Sequence, residues 1–438
     1  MLYFTRWKAT AIILTAFVVC LFAVPNFLPE KMVQSWPKWA QRHIVLGLDL
    51  QGGSHILLEV DTNAVRKEKL EAVRDDVRRV LRDARVGYTG LVVRGNSVEV
   101  RIREGSNFDQ AVDKLRELSQ PLGGILGSST GQRTLDVTTE GGSLVRLTLT
   151  DPAILERVRQ SVEQSIQIIE RRVNELGTVE PLIQRQGVDR ILVQVPGLQD
   201  PTRLKELLGK TAKLDFRMVD VSIPAEQALQ GRVPPDSEIL YGTTAPKTPY
   251  LVEKRILVSG SDLTDAQPGF DQRTNEPIVS FRFNTSGARK FAQVTQENVG
   301  KPFAIILDNQ VISAPVIREP ILGGSGQISG SFTVESANDL AILLRAGALP
   351  APLTIIEERT VGPGLGQDSI AKGKLSSYVG AAMVIAFMLV TYGLFGLFAN
   401  IAVAINVAMI FGILSLLNAT LTLPGIAGIV LTVGIAVD

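Results

Sequence analysis

Asp438 is the only charged side chain in the last 64 positions, because Leu375 to Val437 runs 63 residues without one. A carboxylate at the centre of a membrane span costs roughly 2.5–3.5 kcal/mol on insertion scales, so an acid retained there reads first as functional. The chemistry it offers is proton loading and unloading inside lipid. Helical spacing places Gly434, Leu431 and Ala427 on its face, and small residues there let a second helix approach. A polar clamp between helices is the plainer alternative. Asn406 sits mid-way along the preceding apolar stretch. It is an intramembrane polar partner candidate, with ordinary interhelical hydrogen bonding as its simpler role. Other chemistries lack their residues. Gly209-Lys210-Thr211 has Leu204 where a phosphate loop needs its first glycine, and it follows a helix instead of preceding one. His43 and His55 have no ligand spacing to each other or to a cysteine, so no metal site is expected. Cys20 is the one cysteine and cannot pair within the chain. The sequence therefore reads as a non-enzymatic subunit without cofactor or metal.

An acid in lipid needs helices to hold it there. Ala9 to Pro29 holds no charge in 21 positions and follows Arg6 and Lys8. That is long enough to span, since roughly 20 apolar residues cross a bilayer core, and basic flanks stay in the cytoplasm. A cleaved signal peptide fits less well, because no small-x-small site follows. Residues 1–29 are thus the cytoplasmic N-terminus and first transmembrane helix. The C-terminal run divides at Tyr392–Asn400 and Asn418–Pro424 into spans over 375–396 and 397–418. A short loop and an incomplete fourth helix over 419–438 follow. Only 15 residues run from Pro424 to Asp438, about 20 Å of helix, so the chain is expected to be the N-terminal part of a longer protein. Residues 30–374 then lie outside. Lys372 and Lys374 oppose that orientation, but long domains translocate largely regardless of charge. The outer part balances 43 basic against 43 acidic residues, so nothing marks a nucleic-acid surface.

The outer segment carries a repeat. A helix with Leu70, Val73, Val77, Val80 and Ala84 on one face precedes strands at Leu91–Val93 and Val98–Ile102. A second helix, with Leu155, Val158, Val162, Ile166, Ile169 and Val173 on one face, precedes strands at Pro181–Ile183 and Ile191–Val195. Short helices follow each pair. Strands at Ile56–Val60, Val145–Leu149 and Lys213–Val219 bracket the units, giving β-α-β-β-α-β twice, the ferredoxin-like order. Residues 220–335 are richer in Pro and Gly and hold a helix near 286–298. The expected fold is a polytopic α-helical membrane protein with a large α+β outer domain. That domain is a base of two ferredoxin-like units (30–213), an inserted α+β head (214–335), and a return to base and joint (336–374). Gly362-Pro363-Gly364-Leu365-Gly366 is expected to be a glycine-rich turn serving as hinge beside the membrane.

Several strings together resemble the SecD/SecF family of bacterial protein-export subunits, within the resistance-nodulation-division superfamily. They are Leu46-Gly47-Leu48-Asp49-Leu50-Gln51-Gly52-Gly53, Val173-Asn174-Glu175-Leu176-Gly177, Glu180 to Gly187, and Leu343-Leu344-Arg345-Ala346-Gly347-Ala348-Leu349. Glu357 to Pro363 and Thr420-Leu421-Thr422-Leu423-Pro424-Gly425-Ile426-Ala427-Gly428 complete them. The family positions fall on Gly47, Asp49, Gly52, Gly53, Arg345, Gly347, Pro424 and Gly425, with the intramembrane aspartate on Asp438. The resemblance implies six spans in the bacterial inner membrane and a periplasmic domain with a ferredoxin-like base and a mobile head that holds unfolded secretory polypeptide. It also implies partnership with SecF, the SecYEG channel and YajC, and indirectly SecA. Energy would come from proton flow, not from ATP hydrolysis by this subunit. A proton cycle on Asp438 would repack the spans and swing the head through the Gly362–Gly366 joint. One rival is a proton-driven small-molecule or lipid exporter of the same superfamily, which needs an enclosed apolar pocket. Another is a passive anchored binding module.

Overall fold

The computed structural model describes residues 6–28, 44–103, 107–122, 133–177, 181–198, 200–231, 233–243, 246–417 and 419–437. Helix α1 (Arg6–Leu21) opens the chain. Strand β1 (Val45–Leu46) and the one-turn helix α2 (Leu48–Gln51) lead into β2 (Gly53–Val60). Then come α3 (Thr62–Asp83), β3 (Tyr88–Arg94), β4 (Ser97–Ile102), α4 (Phe108–Arg116), β5 (Leu135–Glu140) and β6 (Leu144–Leu149). Next are α5 (Asp151–Glu175), β7 (Leu182–Gln186), β8 (Arg190–Pro196) and α6 (Thr202–Gly209). Helix starts follow the local chemistry. The Asp61 carboxylate accepts from the amides of Asn63 and Ala64 at the head of α3, satisfying orphan donors, and Pro152 occupies the first turn of α5, where its missing N–H costs nothing.

The strands of this region do not form two self-contained units. One antiparallel sheet runs in the order β3-β4-β6-β5. The other contains β2, β8 and β7 together with β18 (Leu353–Val361), in the order β18-β2-β8-β7. The expected opening strand Ile56–Val60 thus leaves its own helix-strand unit and lies between β8 and β18. The reason is burial. Six of the eight residues of β2 are buried, so the strand needs neighbours on both edges and cover on both faces. Lys213–Val219 likewise does not close the second unit; β18, more than 130 residues later, does. Residues of both sheets and of α3 and α5 share one continuous apolar core. Along α5 that core takes Ile154, Val158, Val162, Ile169 and Val173, while Leu155 points outward, 56% exposed. One residue rotates a helical side chain by about 100°, which is the whole of that misassignment.

The head begins at β9 (Leu214–Met218), followed by α7 (Ala225–Gln230), β10 (Ser237–Gly242), β11 (Pro249–Glu253) and β12 (Val258–Ser259). It continues through β13 (Leu263–Phe270), β14 (Pro277–Phe283), α8 (Thr285–Glu297), β15 (Phe303–Leu307), β16 (Gln310–Ser313), β17 (Ser325–Ser329) and α9 (Val334–Ala346). A six-stranded sheet ordered β11-β10-β16-β15-β9-β12 and a three-stranded sheet ordered β13-β14-β17 result. Their core centres on Phe216, whose ring lies 5.4–6.1 Å from those of Phe281, Phe283, Phe291 and Phe303. Ala337, Leu340, Ala341 and Leu344 of α9 belong to that core. The helix expected to return to the base is therefore a head helix, and the return starts after Gly347.

Helices α10 (Pro363–Tyr392) and α11 (Leu394–Leu416), strand β19 (Thr420–Leu421) and α12 (Leu423–Val437) follow β18. Among the described residues, Arg6–Asn26, Ala371–Tyr392 and Leu394–Leu416 are long and apolar enough to cross a membrane. The break expected over Tyr392–Asn400 is a single residue, Gly393 at φ +54°. The chain doubles back tightly there, since a Cβ at Gly396 would lie 2.1 Å from the carbonyl of Met388; farther along α11, a Cβ at Gly412 would lie 2.1 Å from the carbonyl of Val19 in α1.

Candidate functional site: the neck and the membrane-side motif

Two places gather the residues that the sequence singled out. The first is the neck between base and head, where the chain enters at Lys210–Lys213 and leaves at Ala346–Leu349. Arg172 lies beneath both crossings and is fully buried. Its Nη1 donates to the carbonyls of Leu207 and Lys210, both at 2.6 Å, and its Nη2 to those of Thr211 (3.2 Å) and Gly347 (3.1 Å). Burial lowers the guanidinium pKa to about 10, partly opposed by the Asp308 charge, so it remains a cation at neutral pH. Asp308 starts the tight turn between β15 and β16, where it and Asn309 take positive φ. Its carboxylate accepts from the Thr211 hydroxyl and from the amides of Ala212 (3.0 Å) and Lys213 (2.9 Å). One charge from each module thus holds the same crossing strand.

Arg345 completes the neck. Its Nη1 donates to Glu175 Oε2 at 2.7 Å and its Nη2 to the Ala266 carbonyl at 2.9 Å, so it ties the end of α5 to the head strand β13. Gly347 caps α9 at φ +94°, a conformation that favours glycine. On the flank, Arg203 pairs with Asp339 at 2.6 Å and Lys205 with Glu358 at 3.1 Å. The arrangement is a mechanical joint made of backbone carbonyls and ion pairs.

The second place is the segment 44–54. Gly52 (φ +73°) and Gly53 (φ +135°) turn the chain out of α2 into β2. The Gly52 carbonyl accepts from Gly197 at 3.0 Å, and Ser54 Oγ donates to the Leu198 carbonyl at 2.8 Å. A Cβ on Gly53 would sit 2.3 Å from the Val195 carbonyl oxygen and 2.9 Å from the Gly197 nitrogen. The Gly53→Ala protein is expected to lose about 3–5 kcal/mol, from an unfavourable φ together with a backbone collision. Thermal unfolding of the intact detergent-solubilised protein checks this, and an unchanged midpoint contradicts it. Leu48 and Leu50 are buried and Asp49 faces solvent.

The segment also reaches the membrane helices. Val45–Leu46 pairs in parallel with Thr420–Leu421, and the Gly47 amide donates to the Leu421 carbonyl at 2.7 Å. Pro424 and Gly425 lie in the first turn of α12, where the Gly425 amide donates to Thr422 Oγ1 at 3.3 Å. Gly47, Pro424 and Gly425, nearly 380 positions apart in sequence, are thus neighbours. The expected turn at Gly362–Gly366 is not a turn. Gly362 is the N-cap, and Pro363, Gly364 and Gly366 lie in the opening turns of the 30-residue α10, because proline at the first helical position starts a helix without losing a bond. Asn406 is half-buried midway along α11. Asp438 lies outside the described residues, as does His43. His55 Nδ1 lies 3.1 Å from Gln194 Nε2, and no cluster of metal-ligating residues occurs among the described residues.

Arg172 and Asp308 fall in none of the sequence motifs, and Thr422 falls in one without being singled out. Arg172 carried a signal: on α5 it falls three positions after Ile169, on the buried stripe, where a basic residue requires local partners.

The SecD/SecF GG motif model matches residues 39–64, the SecDF P1 N-terminal model residues 162–221, and the SecDF P1 head model residues 237–351. The protein translocase subunit SecD of Rickettsia bellii is 44% identical over 435 residues, which is 99% of this chain and 80% of the relative. The chain belongs to the SecD family. The SecD of Acetobacter pasteurianus is 43% identical over 441 residues, covering 100% of this chain and 81% of its own length. A crystal structure of SecDF in a super-membrane-facing form aligns at 31% identity with a TM-score of 0.44, over 99% of this chain and 46% of that chain. A SecDF structure from Thermus aligns at 31% identity with a TM-score of 0.41, over 97% of this chain and 46% of that one. The chain is a Sec-associated translocase subunit, a membrane protein with a large extra-membrane domain. Its relatives are accessory transport subunits.

Proposed function

We propose that this subunit uses the proton-motive force to pull or release polypeptides on the periplasmic side of the bacterial inner membrane, assisting SecYEG together with SecF. YajC and, indirectly, SecA are the further partners of this reading. It places the N-terminus in the cytoplasm and residues 30–374 in the periplasm, as a ferredoxin-like base carrying a head. Asp438 is the proton-coupling residue, Asn406 its polar neighbour, and Gly362–Gly366 a junction between strand β18 and helix α10. The observation that carries the reading is the course of α12. It runs from a backbone link with the outer domain at Leu421 to the position before the sole charge of the C-terminal run. A proton event at one end of that helix then acts on the outer domain at the other. Coupling requires the proton to favour one conformation over the other.

Cargo contact is tested on the head. Phe270, Val316 and Leu322 are large, apolar and 53–73% exposed. A photo-crosslinker at each of them, in the full-length protein in its membrane, is expected to capture a stalled secretory chain. One at Val188, equally exposed on the base, is expected to capture little. Adducts from none of the three head positions would remove polypeptide as the cargo. The small-molecule exporter predicts that outcome.

A further inference from the structure

The link between segment 45–47 and segment 420–422 is more than a passing contact. Segment 45–47 leads directly into α2 and β2, and β2 is the central, buried strand of the base sheet. Segment 420–422 is the last stretch before α12, and its final residue, Thr422, organises the first turn: the Thr422 hydroxyl accepts from Gly425 at 3.3 Å and its carbonyl from Ile426 at 2.9 Å. The Asn26 side chain, beyond α1, accepts from the Ile44 amide at 2.7 Å. The strand pair and the Ile44–Asn26 bond beside it therefore tie the base sheet to the start of α12 and to the end of the first membrane segment, far apart in sequence. Gly47 is held to the contact by size: an added Cβ would lie 2.8 Å from Thr422 Cγ2 and 3.2 Å from the Leu421 carbonyl. Gly47 itself sits at φ −67°, ψ 169°, an extended conformation open to any residue. What excludes a side chain is Thr422 and Leu421, not the backbone of Gly47.

We propose that the 45–47/420–422 strand pair is a permanently closed clasp through which α12 drives the outer domain, with Gly47 and Thr422 as the positioning residues that set its closeness. The driving part rests on the proton-coupled reading above; the closed clasp does not. Hydrogen-bonded strands are stiff along their length and resist shear, since sliding by one residue breaks every bond of the ladder. A shift or tilt of α12 is then passed to α2, which packs against α10, and through α2 to β2. This route bypasses the Gly362 junction, which the structure makes the start of a continuous helix.

The experiment uses the full-length protein in its membrane, with Cys20→Ser removing the native thiol. Partners across parallel strands lie about 4.8 Å apart, within the reach of a disulfide, and Leu46 is in register with Leu421. A Leu46→Cys/Leu421→Cys pair is expected to oxidise within one chain and to keep proton-driven export when locked. Adding Gly47→Ala is expected to lower crosslinking and, in the protein without the cysteine pair, to cut proton-driven export about tenfold, as overpacking does. Thr422→Ser, which removes Cγ2 and keeps the capping hydroxyl, is expected to restore both to within about twofold. Absence of the crosslink would show that the clasp does not exist, and a locked protein without export would show that it must open. Failure of Thr422→Ser to relieve Gly47→Ala would remove the positioning role. If instead the crosslink and its suppression behave as expected while export ignores the proton gradient, the clasp stands and the proton-coupled reading falls.

Discussion

Replacing Asp438 by Asn is expected to leave the protein inserted, at normal abundance and bound to its partners, while the proton-driven component of export drops to background. The substitution keeps size and hydrogen-bonding capacity but cannot exchange a proton. A polar clamp between helices, the simpler role for a buried acid, tolerates Asn, so the variant separates the two roles. The measurement is export of a secretory protein into membrane vesicles, with and without an imposed pH gradient. Export by Asp438→Asn that still responds to the gradient would end the proposal. A full loss is expected because no other charged residue lies between Leu375 and Val437 to take over. Asn406 gives the contrast. It offers a polar contact and no titratable proton, so Asn406→Leu is expected to weaken gradient-driven export a few-fold, in line with the roughly 0.6–2 kcal/mol of interhelical hydrogen bonds.

What could be read from the sequence followed the range of the interactions. The apolar spans were legible because hydropathy is local: Leu394–Leu416 falls within two or three residues of the expected 397–418. The helices at 62–83 and 151–175 were legible from their stripes, apart from the one-residue slip at Leu155. Strand partnership was not. β2 pairs with strands about 135 and 300 residues away, and nothing in its own eight residues names them. The Gly362–Gly366 string was misread for a local reason. Glycine and proline together signal a turn, yet the same pair one residue apart is also an N-cap and a first helical position. For the motif glycines the sequence names positions, and only the folded chain shows what they approach. Gly53 faces β8 and Gly47 faces the start of α12, and both contacts appear only once the chain is folded.

The neck supplies the second large expected effect. In an Arg172→Met protein the carbonyls of Leu207, Lys210, Thr211 and Gly347 lose their common donor. Those that stay buried are left unpaired, and Asp308 loses the cation that its charge faces. An unsatisfied buried group costs about 1–3 kcal/mol, and water entering at the neck relieves part of it, so a loss of about 2–4 kcal/mol is expected. Arg172→Lys keeps the charge, but a compact ammonium cannot span carbonyls on both crossing strands as a planar guanidinium does; it is expected to fall between Met and wild type. The loss should be local. All four hydrogen bonds of Arg172 go to carbonyls at the neck, and Met keeps the apolar part of its buried side chain, so both modules are expected to stay folded while the joint loosens. Trypsin makes this visible, because Lys210 and Lys213 lie on the entering strand. Faster cleavage there, with head and base fragments surviving intact, is the expected result. Cleavage at the wild-type rate, or digestion of the whole outer domain at once, would show that Arg172 is not what holds the two modules together. A loosened joint also bears on export. If α12 drives the base and the head holds cargo, slack at Arg172 absorbs the stroke, and Arg172→Met should depress gradient-driven export even though its hydrogen bonds all go to the neck.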